Sequence, residues 1–221
     1  MKIEFIEDVS RDVENWQKSL TSRSNYVSDP SKRIPEDVDK ERLGDAEYLK
    51  QYLFDNFYQT GKVASFKNWL IANTNSAEIQ GDIEDLMQRK FKTADITAYI
   101  TVFGLGRYEP ANNVFFVIFT RLEERYKIKI SNIYHELMHF LVHEYFWEEC
   151  KASGLSEAQT HDLKESLTVL LNPILEKRGL PLDEGYPKHQ ELRAKLKALW
   201  EEKNWKFEDF LKKVLELKLV S

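Results

Sequence analysis

Ile96-Thr97-Ala98-Tyr99-Ile100-Thr101-Val102-Phe103 is a β-branched and aromatic run that stops at Gly104-Leu105-Gly106. A second such run, Val114-Phe115-Phe116-Val117-Ile118-Phe119-Thr120, follows a turn region with Pro110, Asn112 and Asn113. Residues of this kind fit a pleated, half-buried surface, so two strands are expected here. On both sides of these runs the apolar spacing is helical. It runs upstream through Leu49, Leu53 and Phe57, through Phe66, Leu70 and Ile71, and through Ile79, Ile83, Leu86 and Met87. Downstream it covers residues 130–150, 157–172, 188–203 and 206–219. A short strand at residues 2–7 and a helix around Asp12 to Leu20 open the chain, and the Ser- and Pro-containing stretch from Thr21 to Val38 reads as its longest loop. The fold class expected is therefore α+β and predominantly helical. No repeat or strong boundary breaks the pattern, which predicts a single domain over 1–221 with a helical N-terminal portion (1–92), a central core (93–178) and C-terminal helices (179–221).

Composition agrees. Only 8 glycines and 6 prolines occur in 221 residues, and 31% of residues are charged, so turns are few and solvated helical faces many. The longest uninterrupted apolar run, Val114 to Phe119, falls far short of the ~20 residues that span a bilayer, which argues against a membrane protein. A net charge of −5 lacks the basic footprint of a nucleic-acid-binding domain. The N-terminus shows no secretory pattern, and one cysteine, Cys150, excludes an internal disulfide; cytoplasmic location is the expectation. Gly104-Leu105-Gly106 is no dinucleotide fingerprint, because the third glycine and the following helix are missing. Oligomeric state is not readable.

All five histidines lie between positions 135 and 189, and the first two belong to His135-Glu136-Leu137-Met138-His139. At about 100° per residue, both imidazoles and Glu136 share one side of a helix, while Ile133, Phe140 and Leu141 form an apolar back that only Glu144 interrupts. Residues four apart are about 5–6 Å apart at Cβ, close enough for both rings to reach one zinc ion, with Glu136 beside the metal as a general base. Catalytic zinc usually takes a third protein ligand. The next helix, opened by a capping box at Ser156 and Gln159, carries His161, Glu165 and Asn172 opposite Leu163, Leu167, Leu170, Leu171 and Ile174. That polar stripe also suits a plain solvated face. Glu165, His143 and His161 are the eligible third ligands; His143 is the poorer fit, since three histidines along one straight helix surround an ion badly.

Over about residues 96–173 the sequence resembles the zincin metallopeptidases, and within them the glutamate zincins. The run His135 to His143 is also similar to the H-E-x-x-H-x-x-x-H of ImmA/IrrE-type regulatory peptidases. The resemblance implies a small sheet packed against the helix of the motif and a following Glu-bearing helix, with Zn2+ as cofactor and a peptide or protein as substrate. It implies His135, His139 and Glu165 as metal ligands and Glu136 as base. Such enzymes often place an acidic residue three or four positions after the third ligand to orient a histidine; here those positions hold Thr168 and Val169, and the metzincin continuation is absent. By the same resemblance, Tyr186 and His189 are candidate donors to the oxyanion, although Pro187 also suits an ordinary helix entry. Asn112, Asn113 and His143 are candidate substrate contacts. Val114 to Thr120 is either the sheet edge that would hold an extended peptide or an interior strand buried on both faces. The alternative from another class is a non-catalytic zinc-containing regulator or adaptor of the same fold.

Overall fold

The computed structural model describes residues 1–21, 34–35 and 37–220, so most of the expected Thr21 to Val38 loop lies outside the described residues. The fold is α+β, with many helices and one four-stranded mixed sheet. Strand β1 (Lys2–Ile6) leads into helix α1 (Val9–Thr21). Helix α2 (Ala46–Leu53) runs on into a π-helical stretch, Phe54–Tyr58, and is followed by α3 (Lys62–Asn73) and α4 (Ser76–Met87). Asp45 and Asn75 cap α2 and α4 by accepting from the Tyr48 and Glu78 amides. Then come β2 (Asp95–Thr101), β3 (Tyr108–Glu109) and β4 (Val114–Ile118). The rest is helical: α5 (Tyr126–Tyr145), α6 (Trp147–Ala152), α7 (Glu157–Leu167), a 3-10 stretch Thr168–Leu171, α8 (Asn172–Lys177), α9 (Gln190–Glu201) and α10 (Phe207–Glu216).

The chain forms two compact units. The sheet unit gathers Lys2–Thr74 and Asp95–Lys129; the helical unit gathers Met1, Asn75–Ala94 and Ile130–Ser221. The three portions read from the sequence follow the chain, whereas each unit collects separated segments.

In the sheet unit the strand order is β1-β2-β4-β3, with β1–β2 and β2–β4 parallel and β3–β4 antiparallel. Strand β4 thus has a partner on each side. The edge reading of Val114 to Thr120 is corrected for the first half of the strand, where β3 pairs with Val114 and Phe115 and the Phe116 amide donates to the Arg107 carbonyl (2.9 Å); the first four residues of β4 are buried, as six successive apolar residues permit. Edge-to-face rings fill the core, with Phe57 on Phe103 and Phe119, and Phe66 on Phe119 and Tyr126. The buried Asp12 accepts hydrogen bonds from the Thr101 hydroxyl (2.6 Å), the Val102 amide (3.0 Å) and the Tyr58 hydroxyl (3.0 Å). Gly104 is required there, because a Cβ would lie 2.2 Å from Asn15 Nδ2 and 2.4 Å from Thr101 Oγ1.

The helical unit buries Ile79, Ile83 and Met87 of α4, Ile133, Leu137 and Leu141 of α5, and Leu163 and Leu167 of α7. Helix α10 packs into the core, since Phe207, Phe210, Leu211 and Val214 are fully buried. Asp82 ties elements together by accepting from the Tyr134 hydroxyl (2.7 Å) and from Arg178 (2.8 and 3.0 Å). No helix among the described residues is long and apolar enough to cross a membrane.

Candidate metal centre

No glycine or proline occurs between Pro110 and Gly154, so nothing interrupts α5. Its apolar positions are buried around most of the circumference, with Ile133, Phe140 and Leu141 among them, as the helical phase predicts. Glu144, the residue out of phase, accepts from the Lys92 amide (3.2 Å), which explains a carboxylate on that side. His139 is buried, His135 and Glu136 are partly covered, and the two imidazole centroids are 4.3 Å apart.

Helix α7 starts at the expected capping box: the Gln159 amide donates to Ser156 Oγ (3.2 Å), and the Ser156 amide donates to Gln159 Oε1 (2.9 Å). This start sets the helix phase, which buries Leu163 and Leu167 and turns Glu165 towards the two histidines. Glu165 Oε2 lies 3.3 Å from His135 Nε2, and Oε1 lies 3.3 Å from His139 Nε2. One ligand atom from each of His135, His139 and Glu165 falls within 4.8 Å of the other two, the one group of this kind among the described residues. Two imidazole nitrogens and one carboxylate are the donor set of a site that holds a borderline cation such as zinc. His143 and His161 are not in the group.

Burial and neighbouring charges act differently on the three residues. Burial, then the nearby Lys164 ammonium, push His139 down to about 3, which keeps it in the neutral form that ligates metal. Burial opposes a charge on His135, but Asp183 and Glu165 outweigh it and hold that ring well above its ordinary value. Burial likewise works against ionised Glu165, and His139, Lys164 and His135 overcome it. Among the described residues Glu136 has no ion pair, and burial pushes it up to about 7.

Two charged partners at the centre have no signature in the sequence. Asp183, in the segment between α8 and α9, places Oδ2 2.7 Å from His135 Nδ1 and so supplies the orienting carboxylate that Thr168 and Val169 do not. Lys164 is buried, with Nζ 2.8 Å from Glu165 Oε1. Adjacent residues on a helix diverge by about 100°, so only the long flexible stem allows this contact.

The remaining candidates are placed as follows. His143 is exposed and stacks on Trp147 at 5.5 Å, while His161 meets the same indole edge-on at 4.8 Å. His189 is buried in a 3-10 turn, Pro187–His189, with Nε2 3.0 Å from Asp162, a residue of α7. Tyr186 packs edge-on against that imidazole, with centroids 5.8 Å apart. Asn112 and Asn113 belong to the sheet unit, where the turn explains them: Asn113 is left-handed at φ 53°, and its carbonyl accepts from the Thr97 amide at 2.9 Å. Cys150 is a buried thiol. Comparison with protein-family models, with curated proteins and with solved structures finds no match to this chain.

Proposed function

We propose that the protein is a zinc-dependent metallopeptidase of zincin type that acts on a peptide or protein substrate. The observation that carries this reading is the convergence of Glu165 on both imidazoles of the His135-Glu136-Leu137-Met138-His139 motif from a separate helix. His135, His139 and Glu165 would hold the ion. Zinc in such a site acts as a Lewis acid on a carbonyl and lowers the pKa of coordinated water to about 7. Three protein ligands would leave room on the ion for water or substrate, which supports a catalytic rather than a purely structural site. Glu136, next to His135 in the chain, accepts the proton of the attacking water and passes it to the leaving amine. Asp183 fixes the ring of His135, and Lys164 offsets the charge of the buried Glu165 carboxylate. The peptide bond as the target rests on the resemblance of the motif and its third ligand to the glutamate zincins.

The test pairs elemental analysis with the Glu136→Gln variant. Protein purified without chelator is expected to carry about one zinc per chain. Glu136→Gln is expected to retain that zinc while peptide hydrolysis falls at least about 100-fold. Zinc near zero in the wild type, or unchanged hydrolysis in Glu136→Gln, rejects the reading. Full zinc with no hydrolysis of any peptide library by the wild type favours the non-catalytic zinc-containing regulator instead.

A further inference from the structure

Asp183 sits in a segment, residues 180–186, without regular secondary structure. Its position is nevertheless determined at almost every polar atom. Its amide donates to Asn172 Oδ1 (2.8 Å), and its carbonyl accepts from Asn172 Nδ2 (3.2 Å). The Gly185 amide donates to Oδ1 at 2.8 Å, which leaves Oδ2 for His135 Nδ1. The remaining support comes from Arg193 on α9, whose side chain is only 4% exposed. One guanidinium nitrogen, Nη1, donates to Thr168 Oγ1 (2.8 Å) and to the backbone carbonyl of Glu165 (3.3 Å). The other, Nη2, donates to the carbonyl of Asp183 and lies 3.7 Å from its Oδ1. A single buried cation therefore spans the backbone behind the third ligand candidate and the loop that orients the first.

The backbone is shaped around this cation. Gly185 adopts φ 62°, in the left-handed region, and a Cβ there would lie 2.7 Å from Arg193 Cζ and Nη1. A side chain at position 185 and the guanidinium in its present place exclude each other.

We propose that Arg193 is a positioning residue of the metal centre: by tying Glu165 to the Asp183 loop, it keeps the Asp183 carboxylate on His135 Nδ1 and so directs Nε2 towards the ion. The inference rests on the reading of His135, His139 and Glu165 as a zinc site. A planar, two-armed guanidinium suits this bridge, and an ammonium replaces only part of it. Removing such a partner of a metal-ligating histidine typically weakens metal binding by about 10–100-fold.

The experiment measures zinc affinity of the full chain by competition with a chromogenic chelator in R193Q, R193K, G185A and, as a control, R178Q, whose guanidinium serves Asp82 and Glu78 instead. Histidine 15N spectra of the zinc-loaded proteins report which nitrogen of His135 carries the proton. Expected are an affinity loss of at least about 10-fold in R193Q, a smaller loss in R193K, and a loss in G185A although Arg193 is still present. R178Q should bind zinc like the wild type, and the Nδ1–H signal of His135 should weaken in R193Q and G185A. Unchanged affinity and unchanged His135 spectra in folded R193Q or G185A overturn the proposal. So does an equal loss in R178Q, which would make the effect one of general stability. Loss of fold in R193Q, R193K and G185A alike assigns Arg193 to the core and also overturns it. A wild type that binds no zinc rejects the metallopeptidase reading itself, whereas zinc binding untouched by these variants rejects this inference alone.

Discussion

Asp12 is a carboxylate with no basic partner among its hydrogen bonds. Burial pushes its pKa from 3.8 up to about 6, and the donors Thr101, Val102 and Tyr58 only moderate that rise. The folded state therefore holds the proton more tightly than the unfolded chain. Its contribution to stability is full below the unfolded value of 3.8 and is lost as pH rises through about 6. A displacement of that size corresponds to about 3 kcal/mol. The expected outcome is that the stability of the wild type relative to Asp12→Asn falls by roughly this amount between pH 3.5 and pH 7, read from urea midpoints of both proteins across the range. Two parallel curves would show that Asp12 does not titrate in this window. Asp12 had no signature in the sequence, where it reads as an acidic residue in the first turn of a helix, and the same limit applies at the candidate metal centre. His135 and His139 were legible because helical spacing brings them together, whereas Glu165 stood beside His143 and His161 as a third ligand and only the resemblance to the glutamate zincins singled it out. Asp183 and Arg193 were not legible, because the first belongs to an irregular loop and the second reads as one more charged residue on a helix.

Helix α7 depends on its start. Ser156→Ala removes the hydroxyl that accepts from the Gln159 amide and is expected to cost about 1 kcal/mol, as a lower thermal midpoint with an unchanged circular dichroism spectrum below the transition. No loss would mean that packing of Leu163 and Leu167 alone fixes this end. The elements themselves were largely readable, since apolar periods of about 3.6 and about 2 mark helices and strands whatever the tertiary context. Several features escaped, among them the break between α5 and α6 within the helical reading of residues 130–150. Strand β3 is only Tyr108–Glu109, too short for any period, and exists because β4 offers it an antiparallel partner. Another is the helical reading of residues 157–172, which breaks into α7, the 3-10 stretch Thr168–Leu171 and α8. Unbroken apolar periodicity hides this tightening, in which the Thr168 hydroxyl returns to the Glu165 carbonyl at 2.8 Å.

For the whole molecule, the zinc reading predicts coupling between metal and stability. Free zinc at 100 times its dissociation constant should stabilise the fold by about 2.7 kcal/mol, and chelator should reverse the gain. Glu165→Ala should lose most of the response while retaining its helical spectrum, and a thermal scan with and without zinc checks both. Hydrogen exchange should slow on zinc addition in residues 130–145 and 157–171, where the three ligands lie; slowing confined to other segments would place the ion elsewhere. The division into two units was beyond the reach of local patterns, because it depends on which distant segments pack together. It also bears on biosynthesis, since beyond Met1 the chain passes between the units at 74/75, 94/95 and 129/130. A ribosome releases everything the sheet unit needs once residue 129 has left the exit tunnel. Residues 75–94, made earlier, still lack the packing partners that translation supplies only from residue 130 on. Until then Ile79, Ile83 and Met87 of α4 await the partners of their own unit, and no single cut in the gene yields either unit intact.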